Sequence, residues 1–284
     1  MDNLRGIFFM VLSMAFFALE DAFIKLTAQT MPTGQVLVLL GGAGALVFAV
    51  LARSRGLRLW SPELMSGPFM IRNLCEVIGT FGMVTAIVMA PLSTVAAIQQ
   101  ATPLVVTAGA ALFLGATVGW RRWLASAVGL CGVLLIIRPS PSGIEPGMLY
   151  AVLGMLGLAA RDLAVRKVPA TTPSLILAMY GFGSVVPAGL LMMLFGEGLG
   201  PVTLNNGLSL AAALVVGVTA YYALVVATRT GEIAVVTPFR YTRMLFALMT
   251  GIFMFSERPD SLTLLGAVII IGSGLYTIWR ERRR

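Results

Sequence analysis

The chain has 284 residues, 58% of them hydrophobic and only 11% charged, at a mean hydropathy of +0.93. That balance excludes an ordinary soluble domain, and a net charge of +8 without a basic face interleaved with aromatics gives no ground for a nucleic-acid partner. Cys75 and Cys131 both lie in apolar runs and there is no histidine, so no disulfide framework, metal site or cofactor is expected.

Apolar runs punctuated by charges, glycine and proline predict ten membrane spans: Leu4–Leu26, Thr33–Ala52, Pro68–Ala90, Leu92–Gly115, Trp123–Ile137, Gly147–Val165, Pro173–Phe195, Gly207–Thr228, Ile233–Phe255 and Leu262–Trp279. The first runs past signal-peptide length, contains Glu20 and Asp21 and lacks a small-x-small cleavage site, so it reads as a retained helix. After the short fifth span, Arg138–Pro146 is the best mid-chain linker. With ten crossings, one face collects Arg5, Arg53, Arg55, Arg58, Arg121, Arg122, Arg166, Lys167, Arg229, Arg280 and the last three arginines. The other face holds only Lys25, Arg138 and Arg258. The positive-inside rule then puts both termini in the cytoplasm of a bacterial inner membrane, and Trp60, Trp120, Trp123 and Trp279 fall on the same face as interfacial anchors.

Sliding the chain on itself by 141 residues sets Gly6 against Gly147 and pairs GIFFMVLSMAFFALEDAFIK with GMLYAVLGMLGLAARDLAVR, with Asp21 opposite Asp162 and Lys25 opposite Arg166. Each half, 1–141 and 142–284, then holds five spans. An odd number inverts the second half relative to the first, so the expected fold is an all-α integral membrane protein of ten transmembrane helices in two inverted five-helix repeats.

Several motifs carry a family resemblance: Thr237–Tyr241 (TPFRY), Phe255–Pro259 (FSERP), Leu264–Tyr276 (LLGAVIIIGSGLY), Gly119–Trp123 (GWRRW) and Gly132–Pro139 (GVLLIIRP). Over essentially its whole length the sequence resembles the drug/metabolite transporter superfamily, in particular its EamA-like ten-helix members. The resemblance implies a transporter with a central cavity between the halves. The pattern departs at Ala116–Thr117, where the family often has an acid; the second-half acid, Glu257, is present.

Charges inside the spans are costly, so each calls for a partner or a task. Asp21/Lys25 and Asp162/Arg166 occur in both halves, each acid four residues before its base, and read as scaffold ion pairs. Glu20 and Arg161 are repeat mates and candidates for a cross-half pair or gate; Arg72 and Glu76 can pair along their own helix. Arg240 and Arg243 stand opposite Gln99 and Thr102 in the repeat. One wall would present Gln99, Gln100 and Thr102 and the other Arg240, Tyr241 and Arg243, the arginine forks suiting a carboxylate or phosphate. The alternative is that acids of the spans hold both arginines as structural counter-ions. Tyr180, Tyr221 and Tyr222 could add stacking surfaces, and Pro103 and Pro187 could act as hinges.

The reading is a secondary transporter of a small anionic or zwitterionic metabolite, of amino-acid, nucleotide, flavin or S-adenosylmethionine type, working by alternating access. Its partners would be that substrate and the bilayer, and a homodimer is compatible with it. A broad-specificity drug/metabolite exporter is the alternative, and a non-transporting scaffold or receptor subunit the rival of a different class. An intramembrane enzyme is disfavoured by the missing histidine and the absence of G-x-S-x-G and H-E-x-x-H.

Overall fold

A computed structural model describes residues 2–115, 119–138, 144–169, 171–196, 198–230 and 233–281. These form ten helical spans: α1 Asp2–Ala28, α2 Thr33–Ser54, α3 Gly67–Met89, α4 Leu92–Phe113, α5 Trp120–Ile137, α6 Pro146–Val165, α7 Ser174–Phe195, α8 Leu204–Thr230, α9 over 233–255 and α10 Ser261–Glu281. All ten expected spans are present. In hydrocarbon a helix satisfies its own backbone, and prolines at the starts, such as Pro68, Pro91 and Pro146, surrender N–H groups the first turn would leave unpaired. Seven helices are long and apolar enough to cross a bilayer by themselves. In α5 and α10 the apolar stretches are shorter, Trp123–Ile137 and Ser261–Tyr276, and α9 is interrupted by a 3-10 turn at Thr237–Tyr241. The expected boundary between residues 141 and 142 lies outside the described residues, as does the Ala116–Thr117 departure.

Packing follows the inverted repeat. The α1 helix lies along α8 and α3 along α6, and these two pairs exchange when the halves are swapped. The α2–α7, α4–α9 and α5–α10 pairs each join repeat mates. Nearly every large contact therefore joins one half to the other, and small residues permit the approach. A Cβ added to Gly82 would lie 2.5 Å from the Gly154 nitrogen, and one on Gly157 2.6 Å from Gly79. Gly34 meets Gly189 across α2 and α7, and Gly132 meets Gly266 across α5 and α10. Ile87, Ile98, Leu104, Met155, Met244 and Ile270 are fully buried where the inner helices meet.

Candidate functional site

The fourth helix of each half is broken, α4 near its middle and α9 nearer its start. In α4, Leu92–Gln99 gives way to Thr102–Phe113; Pro103 has no N–H to offer the Gln99 carbonyl, and the Thr102 hydroxyl donates to it instead at 2.6 Å. In α9 the break is the 3-10 turn containing Pro238, after which the Thr242 hydroxyl donates to the Phe239 carbonyl at 2.6 Å. Irregular backbone at this depth is tolerated only against protein or a wet cavity. Pro187 lies inside α7, whose helix runs through it.

Charges from both halves gather around these breaks. The Glu76 carboxylate on α3 accepts from Arg72 Nη2 at 2.8 Å and from Arg161 Nη1 on α6 at 2.9 Å. Arg161 also donates to its neighbour Asp162, from Nη2 at 2.8 Å and Nε at 3.0 Å, and Arg72 Nη1 to Asn73 at 2.8 Å. Glu76 is nearly dry at 10% side-chain exposure, whereas Arg161 and Asp162 keep 27% and 31%, so the cluster has a wet side. Deeper in, Asp21 on α1 accepts from Arg243 Nη2 at 2.6 Å, and the same guanidinium lies over the Phe17 ring at 5.4 Å. Arg240 is exposed although it sits seven residues beyond Ile233, the first residue of α9. Asp162, Arg161 and Arg243 are the nearby charges whose fields reach it, yet it makes no ion pair or hydrogen bond among the described residues.

At the end of the molecule opposite the termini, Glu257 in the α9–α10 loop accepts four bonds. They come from the Leu92 and Ser93 backbone N–H groups at 2.6 and 3.1 Å, the Ser93 hydroxyl at 2.8 Å and Lys25 Nζ at 3.4 Å. A carboxylate on the first N–H groups of α4 also complements that helix's dipole. Lys25 donates to the Ala90 carbonyl at 2.6 Å and lies 5.2 Å from the Phe255 ring. Beside this network a cleft of about 770 Å3 opens, lined by Ser93, Thr94, Arg138, Glu145, Glu257 and Asp260. The Arg138 guanidinium bonds Asp260 across it and holds that carboxyl well below the usual carboxylate range.

Several expected partners are exchanged. Asp21 and Lys25 do not pair along α1, since Asp21 turns to Arg243 and Lys25 to Glu257. Asp162 takes Arg161 rather than Arg166, which is exposed and without an acidic partner among the described residues. A solvated i,i+4 pair is worth only a few tenths of a kcal/mol, so a drier partner on a facing helix wins. The Glu20–Arg161 pair is not made either, because α1 packs on α8 and not on α6. Glu20 lies against Gly217 of α8 and makes no bond among the described residues. Arg72 and Glu76 do pair as their spacing implies, and Arg72 is 7% exposed, buried rather than reaching for the interface.

The two proposed walls are only partly assembled. Tyr241 is buried, its hydroxyl turned against Gly274 of α10, so it packs the α9–α10 contact instead of facing outward with Arg240. Gln100 is buried and Gln99 half-buried, and neither side-chain amide is bonded among the described residues. Tyr180 meets Phe69 edge to face and donates to the Leu59 carbonyl at 3.3 Å; Tyr221 packs on Phe48 and donates to the Ser174 carbonyl; Tyr222 is exposed. These three supply no shared stacking platform. The network around Glu257 was not foreseen; its only signal was the loop acid that the first half lacks.

With this geometry in view, known proteins give a consistent comparison. The profile described as the EamA-like transporter family matches residues 4–138 and again 145–279. An S-adenosylmethionine uptake transporter of Rickettsia felis is 27% identical over 77% of this chain and 74% of its own length. A riboflavin transporter of Rhizobium johnstonii is 26% identical over 75% and 70%, and a pseudopaline exporter of Pseudomonas aeruginosa is 25% identical over 94% and 93%. A solved crystal structure superposes with a TM-score of 0.67 at 19% identity, covering 100% of this chain and 99% of that one, which shows a shared fold.

Proposed function

The chain belongs to the EamA-like transporter family, and from that premise we propose that it moves a small organic metabolite bearing an anionic group, with Arg240 as the group's contact. Family membership makes it a multi-pass membrane transporter and not an enzyme. The observation that carries the finer reading is the state of the cations on the spans. Arg72, Arg161, Arg243 and Lys25 each hold a carboxylate, whereas Arg240 alone among the described ones is exposed and unpartnered. A guanidinium near mid-membrane with no internal counter-ion is costly until an anion arrives, and its planar fork suits a carboxylate or phosphate. Arg243 is the structural counter-ion of Asp21, so the two arginines divide the roles that sequence had left open for both. Broken helices α4 and α9 supply the irregular backbone beside which such sites form, and alternating access would proceed by rocking one half against the other.

The test is uptake or counterflow in proteoliposomes. Arg240→Gln is expected to raise KM for an anionic substrate by 10-fold or more while thermal stability is kept, since removing a charge-assisted contact costs about 1.5–3 kcal/mol. Unchanged KM in a folded Arg240→Gln protein would sink the anion reading. A second reading, a broad-specificity drug/metabolite exporter, is favoured by the breadth of the relatives, which name three unlike substrates and both directions of movement. Under that reading many unrelated compounds compete for flux, and Arg240→Gln alters only the acidic ones. Cytoplasmic termini complete the proposal; a cysteine replacing Ser54 should react with a membrane-impermeant maleimide only from the inside.

A further inference from the structure

We propose that the groove between α5 and α10 at the termini-bearing end binds an anionic phospholipid, its phosphate held by Arg121 and one acyl chain laid along Leu124 and Val128. A cavity of about 290 Å3 opens there on the outer face of the helix pair. Its floor is made of the small buried residues Ala125 and Ser273, and behind it Gly129 sits directly against Leu104 and Ser273. Its α5 rim is apolar and open, Leu124 at 56% and Val128 at 45% exposure, and beyond it Leu134, Leu265 and Val268 continue the exposed apolar face of the two helices. The groove therefore faces hydrocarbon. Water has little reason to fill it, because the Ser273 hydroxyl on its floor already donates to the Ile270 carbonyl at 2.8 Å. An acyl chain is the material at hand.

The mouth of the groove selects the headgroup. Arg121 is exposed, rests on the Trp120 ring at 5.3 Å and has no carboxylate partner among the described residues. Trp120 and Trp123 begin α5, and Tyr276 and Trp279, 6.0 Å apart, close α10, so aromatic residues from both helices ring this level as they do at a bilayer interface. From Arg121 to Val128 the helix descends about 10 Å at 1.5 Å per residue, within one leaflet of a hydrocarbon core about 30 Å thick. The same end exposes Arg53, Arg55, Arg58, Arg166 and Lys167, and the sequence adds Arg122, Arg280 and the last three arginines. Phosphate without a choline or ethanolamine cation complements that field, and an arginine binds it by two parallel hydrogen bonds.

Native mass spectrometry of the purified protein, titrated with equimolar phosphatidylglycerol and phosphatidylcholine, tests this. Wild type should retain one phosphatidylglycerol in preference to phosphatidylcholine. Arg121→Gln should weaken that retention about fivefold, the worth of one arginine at an anionic surface. Val128→Trp, which fills the exposed groove without entering the core, should displace the lipid, and Arg58→Gln, away from the groove, should change nothing. Equal retention of the two lipids overturns the proposal, as does unchanged retention by Arg121→Gln. A loss with Arg58→Gln as large as with Arg121→Gln would mean diffuse attraction to the basic end and also overturns it. So would a dimer that Val128→Trp dissociates, for then a second copy occupies the groove. Thermal unfolding of each variant guards against misfolding, and if Val128→Trp fails to fold, Arg121→Gln against Arg58→Gln decides.

Discussion

Replacing Glu257 by glutamine should loosen the end of the molecule opposite the termini more than it weakens the fold as a whole. The carboxylate is 8% exposed and Lys25 14%, so neither is well screened by water. Glutamine keeps one acceptor oxygen but turns an NH2 toward donors from Leu92, Ser93 or Lys25, and it leaves the lysine without a counter-charge. Breaking a buried pair costs about 3–5 kcal/mol. The 3.4 Å separation is long, and Lys25 retains the Ala90 carbonyl and the Phe255 ring, so roughly 2–4 kcal/mol is the better figure. Spent on an equilibrium between this bonded end and one with the network broken, that shifts the population by about 30- to 1,000-fold. The assay is the labelling rate of a cysteine at Thr94, 7% exposed beside the network, in a background with Cys75 and Cys131 replaced by serine. Glu257→Gln should accelerate labelling by at least tenfold, and a second substitution, Lys25→Met, should recover part of the loss by removing the stranded cation. Unchanged labelling together with an unchanged melting temperature would refute the reasoning.

Arg243→Gln strands Asp21, 16% exposed, and should cost about 3–5 kcal/mol in stability, while Asp21→Asn/Arg243→Gln regains a large share; additive losses in a double-mutant cycle would show the pair is not coupled. Gly82→Leu drives a Cβ to 2.5 Å from the Gly154 backbone, which cannot yield as a side chain would, so thermal unfolding should show a loss of at least about 1–3 kcal/mol and parting of α3 from α6. The Asp260 carboxyl is held low by Arg138, so its contribution is complete above the ordinary carboxylate pKa of about 3.9 and fades as pH falls from there toward the folded value. The melting-temperature difference between wild type and Asp260→Asn should accordingly be larger at pH 7 than at pH 3, and a difference that grows on acidification would contradict the bond.

What sequence revealed and what it hid have separate physical causes. Spans were legible because hydrocarbon demands long apolar helices, and the inverted halves because a repeat leaves the same acid–base spacing in both. Partner choice was not. Arg72–Glu76 has the correct spacing and the correct pairing because Glu76, accepting Arg72 with one oxygen, still reaches Arg161 on α6 with the other. The i,i+4 spacing of Asp21 and Lys25 is as good, yet their partners stand 222 and 232 residues away. Tyr241 failed for a local reason. Adjacent residues point about 100° apart on an α-helix and about 120° apart on the 3-10 turn at TPFRY, so Arg240 and Tyr241 cannot face one wall together: Arg240 is exposed while Tyr241 is buried against α10.

The repeat also exposes an asymmetry that matters for transport. At the offset of 141 residues, Lys25, Glu257 and Leu92 correspond to Arg166, Ala116 and Ile233. One end therefore has its base, its acid and the helix start that the acid caps, whereas the other has the base and the helix start but alanine for the acid. Residue 116 lies outside the described residues, and Arg166, the base of that end, is exposed with no acidic partner among them. Two fully symmetric halves would close either end at equal cost. On the alternating-access reading proposed above, a single carboxylate would break that balance by about the worth of its network, roughly 2–4 kcal/mol, in favour of the state in which that network is made. A substrate can reverse the preference only through tighter binding to the other state, by a margin of the same size. On the anion reading proposed above, Arg240, exposed on a helix that starts at the end without the acid, is where an anion supplying that margin would be met.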